Sequence, residues 1–353
     1  MAKQQRIDPR RTERARGTTP SKAASKPTPS KPTSGKNRGK SGHPGGRLTS
    51  EARPATLGTW IAGARPQTLL LAIAPVAVGT GAASLDLPSW HTHWARAVLA
   101  LIVALALQIA VNYANDYSDG VRGTDKNRVG PARLVGSGRA TPRAVLTVAI
   151  VFFGIAAVAG AILVVKSGEW WLFAVGAVCI AAGWFYTGGK RPYGYYALGE
   201  VAVFVFFGLV PVAGTMYTQT GTVNLEAWLG GVAIGAFACA VLVVNNLRDR
   251  EQDALSRKRT LAVLLGNRGT RALYVVLMIA PLALLAFYLI FYPLAGFVFF
   301  DALLVLPAVL IVILAKTAPE YVTALKLTLF AAFIYGIGLG ASLAFWGTAA
   351  IGG

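Results

Sequence analysis

Reactive and metal-binding side chains of the usual kinds are scarce in this chain. It has two cysteines, Cys179 and Cys239, and three histidines in 353 residues. Two cysteines cannot make a disulfide scaffold. Both lie in apolar runs and read as small hydrophobes. The histidines, His43, His91 and His93, fall outside those runs and have no zinc-type spacing with cysteine or acids. No phosphate-binding or dinucleotide glycine fingerprint leads into a helix with a following acid. Charge is also short: 14% of residues are charged, and 15 acids face 34 Lys and Arg. An apolar content of 54% excludes disorder throughout. A soluble nucleic-acid-binding domain would explain the net charge of +19 but not so apolar a chain, so no nucleic-acid partner is expected.

The charge and the grease are in different places. Up to Arg53 there are 14 Lys/Arg and 3 acids among Pro, Ser, Thr and Gly, with almost no aliphatic residues. Such a segment cannot bury enough surface to offset its ordering entropy. Residues 1–56 are therefore expected to form a disordered basic tail. It would either touch anionic headgroups or stay solvated.

Residues 57–353 read as one all-α membrane domain. Nine apolar runs, near 67–85, 94–115, 144–165, 170–187, 198–218, 227–247, 272–292, 295–315 and 325–347, are of bilayer-crossing length. The loops after runs two, four, six and eight hold six, two, seven and one Lys/Arg, with Lys326 just inside run nine, whereas the opposite side has only Arg96 and Lys166. The positive-inside rule then places the N-terminus and the basic loops in the cytoplasm.

The acids that stand out lie at the basic-side ends of runs two and six. In VNYANDYSDGVRGTD, Asn112 and Asp116 are four apart and Asp116 and Asp119 three apart; Asn115 and Asp125 belong to the same stretch. In VNNLRDREQD, Asn245, Asp249 and Asp253 repeat every four residues, with Asn246 beside them. Continued helices would put each set on one face. Concentrated carboxylates repel, and a hard divalent cation such as Mg²⁺ relieves this while bridging to substrate phosphates. Cations flank both stretches: Arg122, Lys126, Arg133 and Arg139 after the first, Arg248, Lys258 and Arg259 around the second. Arginine can grip phosphate oxygens in a bidentate way. Hydrated interfacial charge is the bland reading of either stretch alone; two at one membrane face point to a diphosphate held through metal ions.

At these residues the sequence resembles the UbiA superfamily of intramembrane prenyltransferases, from about Trp60 to the C-terminus. NDYSD resembles its first Asp-rich motif and RDREQD its second. ARPQTLL, GPARLVGSG and NNLRDREQDALSRKRTLAVLLG resemble the branch acting on 1,4-dihydroxy-2-naphthoate. The first motif is usually N-D-x-x-D-x-x-x-D; here Gly123 stands four residues after Asp119, and the next acid is Asp125. The naphthoate branch often looks like this, and the resemblance makes Asp125, at its shifted place, a further candidate metal ligand.

The resemblance implies nine helices around a central cavity capped by the two Asp-bearing ends. It implies a polyprenyl diphosphate bound through Mg²⁺ by Asp116, Asp119, Asp249 and Asp253, with its tail among apolar helices. It implies transfer to 1,4-dihydroxy-2-naphthoate with loss of carbon dioxide, giving demethylmenaquinone, in a bacterial plasma membrane. Tyr186 and Lys190 fit the family's Y-T-x-x-K pattern, which places the lysine near diphosphate or the aromatic acid. Arg65 would neutralise the naphthoate carboxylate or anchor the first run at the headgroups. Acceptors such as 4-hydroxybenzoate or homogentisate, and a transporter, are the alternatives.

Overall fold

Lipid offers no partner to a backbone N–H or C=O, so a chain of long apolar runs must satisfy them within helices. The computed structural model, which describes residues 54–87, 93–123 and 133–351, is built in this way; most of the basic tail lies outside the described residues. The helices are α1 (Leu57–Gly63), α2 (Leu70–Asp86), α3 (Trp94–Arg122), α4 (Pro142–Ser167), α5 (Leu172–Phe185), α6 (Gly199–Val203), α7 (Val210–Thr220), α8 (Leu225–Leu255), α9 (Leu261–Phe291), α10 (Ala302–Leu314) and α11 (Ala318–Ile351). A 3₁₀ turn, Pro66–Leu69, joins α1 to α2, and another, Pro293–Asp301, leads into α10. A π-helical turn, Phe204–Leu209, joins α6 to α7. No strand occurs among the described residues.

Eight helical stretches are long and apolar enough to cross a membrane. The fourth apolar run forms α5, which has 14 residues and is too short for the same criterion. Large apolar side chains such as Ile150, Val158, Phe297 and Leu303 are exposed on the outside, where lipid accounts for them.

Two packed groups of helices make the interior. In one, α2 and α7–α11 share a core around Phe237, Tyr274, Tyr288 and Tyr335. In the other, α3 and α4 pack around Tyr113, Val145, Ala149 and Phe153. Buried tyrosine hydroxyls find partners: Tyr274 pairs with Thr328 Oγ1 at 2.7 Å, and Tyr335 donates to the Pro281 carbonyl at 3.1 Å. Where α2 crosses α11 the backbones nearly touch. A Cβ added at Gly336 would lie 2.6 Å from Ala74 Cβ, and one at Gly81 would lie 2.7 Å from Gly340 Cα. Small residues let membrane helices gain close dispersion contact where no hydrophobic drive exists.

The π turn has a local cause. Pro211 has no N–H to give Phe207, and a widened turn absorbs the mismatch. It also brings Phe206 and Phe207 to the wall of the cavity between the two groups.

Gly340→Val is expected to force α2 from α11 and to destabilise the bundle by about 1–3 kcal/mol. A thermal unfolding midpoint in detergent, lowered relative to Gly214→Ala, where an added Cβ meets nothing, checks this.

Candidate active site

The cavity has a volume of about 670 Å³ and is lined by α2–α8 and the turns that join them. Most of its wall is apolar: Leu71, Val76, Leu107, Ala157, Val203 and Phe206 are typical. Along α3 it runs from Asp119 to Ala100, about 29 Å at 1.5 Å per residue. One end is polar, and both Asn/Asp stretches are there.

The helices do continue through these stretches. α3 runs to Arg122 and stops at Gly123, whose φ of 72° provides a left-handed cap. α8 runs to Leu255. Asn112, Asn115 and Asp119 therefore line the cavity from α3, and Asn245, Asn246, Asp249 and Asp253 line it from α8.

Asp119 is 3% exposed and is the hub. It accepts from Arg133 at 2.7 Å, from the Tyr195 hydroxyl at 2.6 Å and from Lys258 at 3.5 Å. These come from the loops after α3, α5 and α8. Lys258 also lies over the Tyr195 ring, 4.6 Å from its centroid. Arg133 and Lys258 both reach the cavity wall. On the other side, Arg248 clamps Asp249 through two contacts of 2.7 Å and holds Asn245 at 2.8 Å. Asn115 accepts from Thr187 at 2.6 Å, and Asn246 donates to Glu200 at 3.1 Å. Burial raises the hydroxyl pKa of Tyr193, in the loop after α5, to about 12.

Several sequence expectations are placed differently. Asp116 is buried but does not line the cavity. Its carboxylate accepts the backbone N–H groups of Leu134 at 2.8 Å and Val135 at 3.1 Å, so it holds the loop that carries Arg133. Arg122 donates to the carbonyls of Thr187 and Gly189 and ties α3 to the turn after α5. Lys190 and Arg139 are exposed away from the cavity; Gly189, at φ 74°, turns the chain outward at Lys190. Arg259 is exposed, and its backbone N–H bridges to the Tyr195 carbonyl at 2.9 Å. Asp125 and Lys126 lie outside the described residues. Arg65, in a left-handed turn at φ 51°, does line the cavity, as does Tyr186. Tyr195 carried no sequence signal and Thr187 only its place in the Y-T-x-x-K pattern; the contacts of each to α3 form when its loop folds over that helix.

Among the described residues, no three His, Cys, Asp or Glu side chains converge as a ready metal cage. A hard divalent ion can be held by one or two carboxylates, its shell completed by water and substrate phosphates. The donor set facing the cavity is all hard oxygen, from Asp119, Asp249, Asp253, Asn115 and Asn245.

Comparison with known proteins agrees with the architecture. Residues 72–337 match the UbiA prenyltransferase family. The chain is similar to a 1,4-dihydroxy-2-naphthoate octaprenyltransferase of Mycobacterium tuberculosis, with 57% identity over 222 residues, 62% of this chain and 74% of the relative. Its fold is similar to a UbiA homolog from Aeropyrum pernix K1, at TM-score 0.61 and 18% identity over 76% of this chain and 96% of that one. It is also similar to a UbiA homolog from Archaeoglobus fulgidus bound to GPP and Mg²⁺, at TM-score 0.53 and 14% identity over 84% and 100% of the two chains.

The two acids of the first motif should respond differently. Asp119→Asn is expected to cut turnover at least about 100-fold and also to lower the thermal midpoint, because it removes the charge that Arg133 and Lys258 pair with. Asp116→Asn removes one of two buried acceptors and is expected to cost about 1–3 kcal/mol of stability while keeping turnover within about tenfold. Paired turnover and unfolding measurements separate the two.

Proposed function

The chain belongs to the UbiA prenyltransferase family, and on that premise we propose that it transfers a polyprenyl group from its diphosphate to 1,4-dihydroxy-2-naphthoate. The observation that carries the reading is one cavity, apolar for most of its length, with two Asn/Asp-bearing helix ends and two buried-side cations at one mouth. An amphiphile with an anionic head and a long apolar tail fits that division. A small hydrophilic solute does not.

Asp119, Asp249 and Asp253, helped by Asn115 and Asn245, would hold divalent cations, for which Mg²⁺ is the best fit. Cations bound there would supply electrophilic stabilisation to the departing diphosphate. Arg133 and Lys258 contact the phosphate oxygens and stabilise the charge that builds as the allylic C–O bond breaks. The bond's electron pair leaves with the diphosphate. The apolar wall around Leu107, Phe206 and Phe207 keeps water from the allylic cation and holds the tail. Arg65 pairs with the naphthoate carboxylate. The electron-rich ring forms the new C–C bond, and the carboxylate leaves as carbon dioxide. No oxidant takes part, so the ring emerges as a hydroquinone, which oxidises afterwards to demethylmenaquinone. The excess of Lys and Arg on the loops at the polar mouth orients it toward the cytoplasmic face of a bacterial plasma membrane.

Purified protein given a polyprenyl diphosphate, 1,4-dihydroxy-2-naphthoate and Mg²⁺ should release carbon dioxide and form the prenylated quinol. EDTA should abolish turnover and added Mg²⁺ restore it. Prenylation of 4-hydroxybenzoate but not of the naphthoate would contradict the acceptor; undiminished turnover in EDTA would contradict the metal.

A further inference from the structure

Gln108 lies one helical turn below Asn112 on α3, is 7% exposed and forms part of the cavity wall. Its Nε2 donates to Thr68 Oγ1 at 3.1 Å, while its Oε1 is buried with no hydrogen-bond partner among the described residues. The surrounding hydrogen bonds decide which way the amide points. Thr68 has one hydroxyl proton, and it goes to the Arg65 carbonyl at 2.9 Å. Asn112 Nδ2 also donates to Thr68 Oγ1, at 3.1 Å, and to the Ala64 carbonyl at 2.9 Å. Thr68 Oγ1 is therefore an acceptor toward both amides. A reversed Gln108 would set its oxygen against an oxygen with no proton left to share. The Gln108 oxygen must face elsewhere, and a buried acceptor without a donor costs stability unless something supplies one.

Its position says what could. Gln108 and Asp119 are eleven residues apart on one face of α3, which sets Gln108 about 16 Å deeper along the axis. The diphosphate end of the site lies above it and the apolar tunnel around it. Arg65 and Thr68 share the turn that Gln108 and Asn112 brace. Arg65 faces the same cavity. A ring with a carboxylate for Arg65 and a hydroxyl for Gln108 would use both groups. In 1,4-dihydroxy-2-naphthoate the 1-hydroxyl is next to the carboxylate and can close an internal hydrogen bond. The 4-hydroxyl has no such partner and needs one from the protein.

Resting on the prenyl-transfer reading above, we infer that Gln108 Oε1 accepts a hydrogen bond from the 4-hydroxyl of the aromatic acceptor and so selects acceptors with a hydroxyl at that place on the ring. Gln108 is a specificity-determining contact. It orients the ring relative to the allylic carbon and takes no part in bond breaking. No sequence pattern marks it, because an isolated glutamine in a membrane helix is equally consistent with helix packing.

The experiment pairs substrate and protein changes. The dissociation constant of 1,4-dihydroxy-2-naphthoate for the full-length protein in detergent is compared with that of its 4-methyl ether, which has no proton to donate at that position. The unaltered protein should bind the ether at least about tenfold more weakly. Gln108→Leu should weaken the parent acid by a similar factor, bind acid and ether alike, and leave the KM for polyprenyl diphosphate unchanged. A purely structural role for Gln108 would lower binding of acid and ether equally and keep the gap between them. Equal binding of acid and ether by the unaltered protein overturns the inference even if the variant does not fold. If the unaltered protein turns over the naphthoate while that equality holds, the inference alone has failed. If it neither binds nor prenylates the naphthoate, the prenyl-transfer reading has failed and the inference with it.

Discussion

A carboxylate at the end of a membrane helix is tolerated only if something neutralises it, and Asp119 organises the polar mouth through that requirement. It is 3% exposed and takes Arg133, Tyr195 and Lys258 from three loops far apart in the chain. Breaking a buried ion pair by removing one partner costs more than the pair contributes, so the loops are held where Asp119 needs them. Asp116, three residues earlier, holds the first of these loops from beneath through two backbone amides. Arg122 ties the second to the end of α3. The cations that neutralise Asp119 also face the cavity, where a phosphate group would meet them.

The rest of the molecule keeps that mouth in register with the tunnel. Small residues on α2 and α11 let one helix group pack almost backbone to backbone, while α3 and α4 form the other. The cavity is what remains between two rigid cores. The π turn before Pro211 supplies aromatic side chains to its wall without interrupting the span. The acidic ends on α3 and α8 line one space, an arrangement suited to gripping a single diphosphate.

Local patterns in the sequence were a good guide wherever function depended on one helix. The spacing of Asn112, Asp116 and Asp119, and of Asn245, Asp249 and Asp253, showed two polar stripes before any contact was known. The apolar runs showed the helices, although α5 is shorter than its run suggested because the chain turns at Trp170–Trp171 and again after Phe185. What a stripe cannot show is its fine rotation against its neighbours. Asp116 is on the flank of the α3 stripe and meets the loop, while Asp119 meets the cavity. Lys190 fits a pattern along the chain, yet the glycine turn at Gly189 carries it outward. Tyr195, Thr187 and Gln108 gain their meaning from residues 40 to 76 positions away, a distance at which spacing holds no information.

The central claim is that the acids on α3 and α8 act together on one diphosphate through divalent cations. The direct measurement is a double-mutant cycle on the binding of an unreactive allylic thiolodiphosphate, with Asp119→Asn, Asp253→Asn and their combination, at saturating Mg²⁺ and in EDTA. The account predicts that each single change removes most of the Mg²⁺-dependent affinity and that the double change removes little more. Additive losses, or losses that persist unchanged in EDTA, would mean that the two helix ends bind independently and would contradict it.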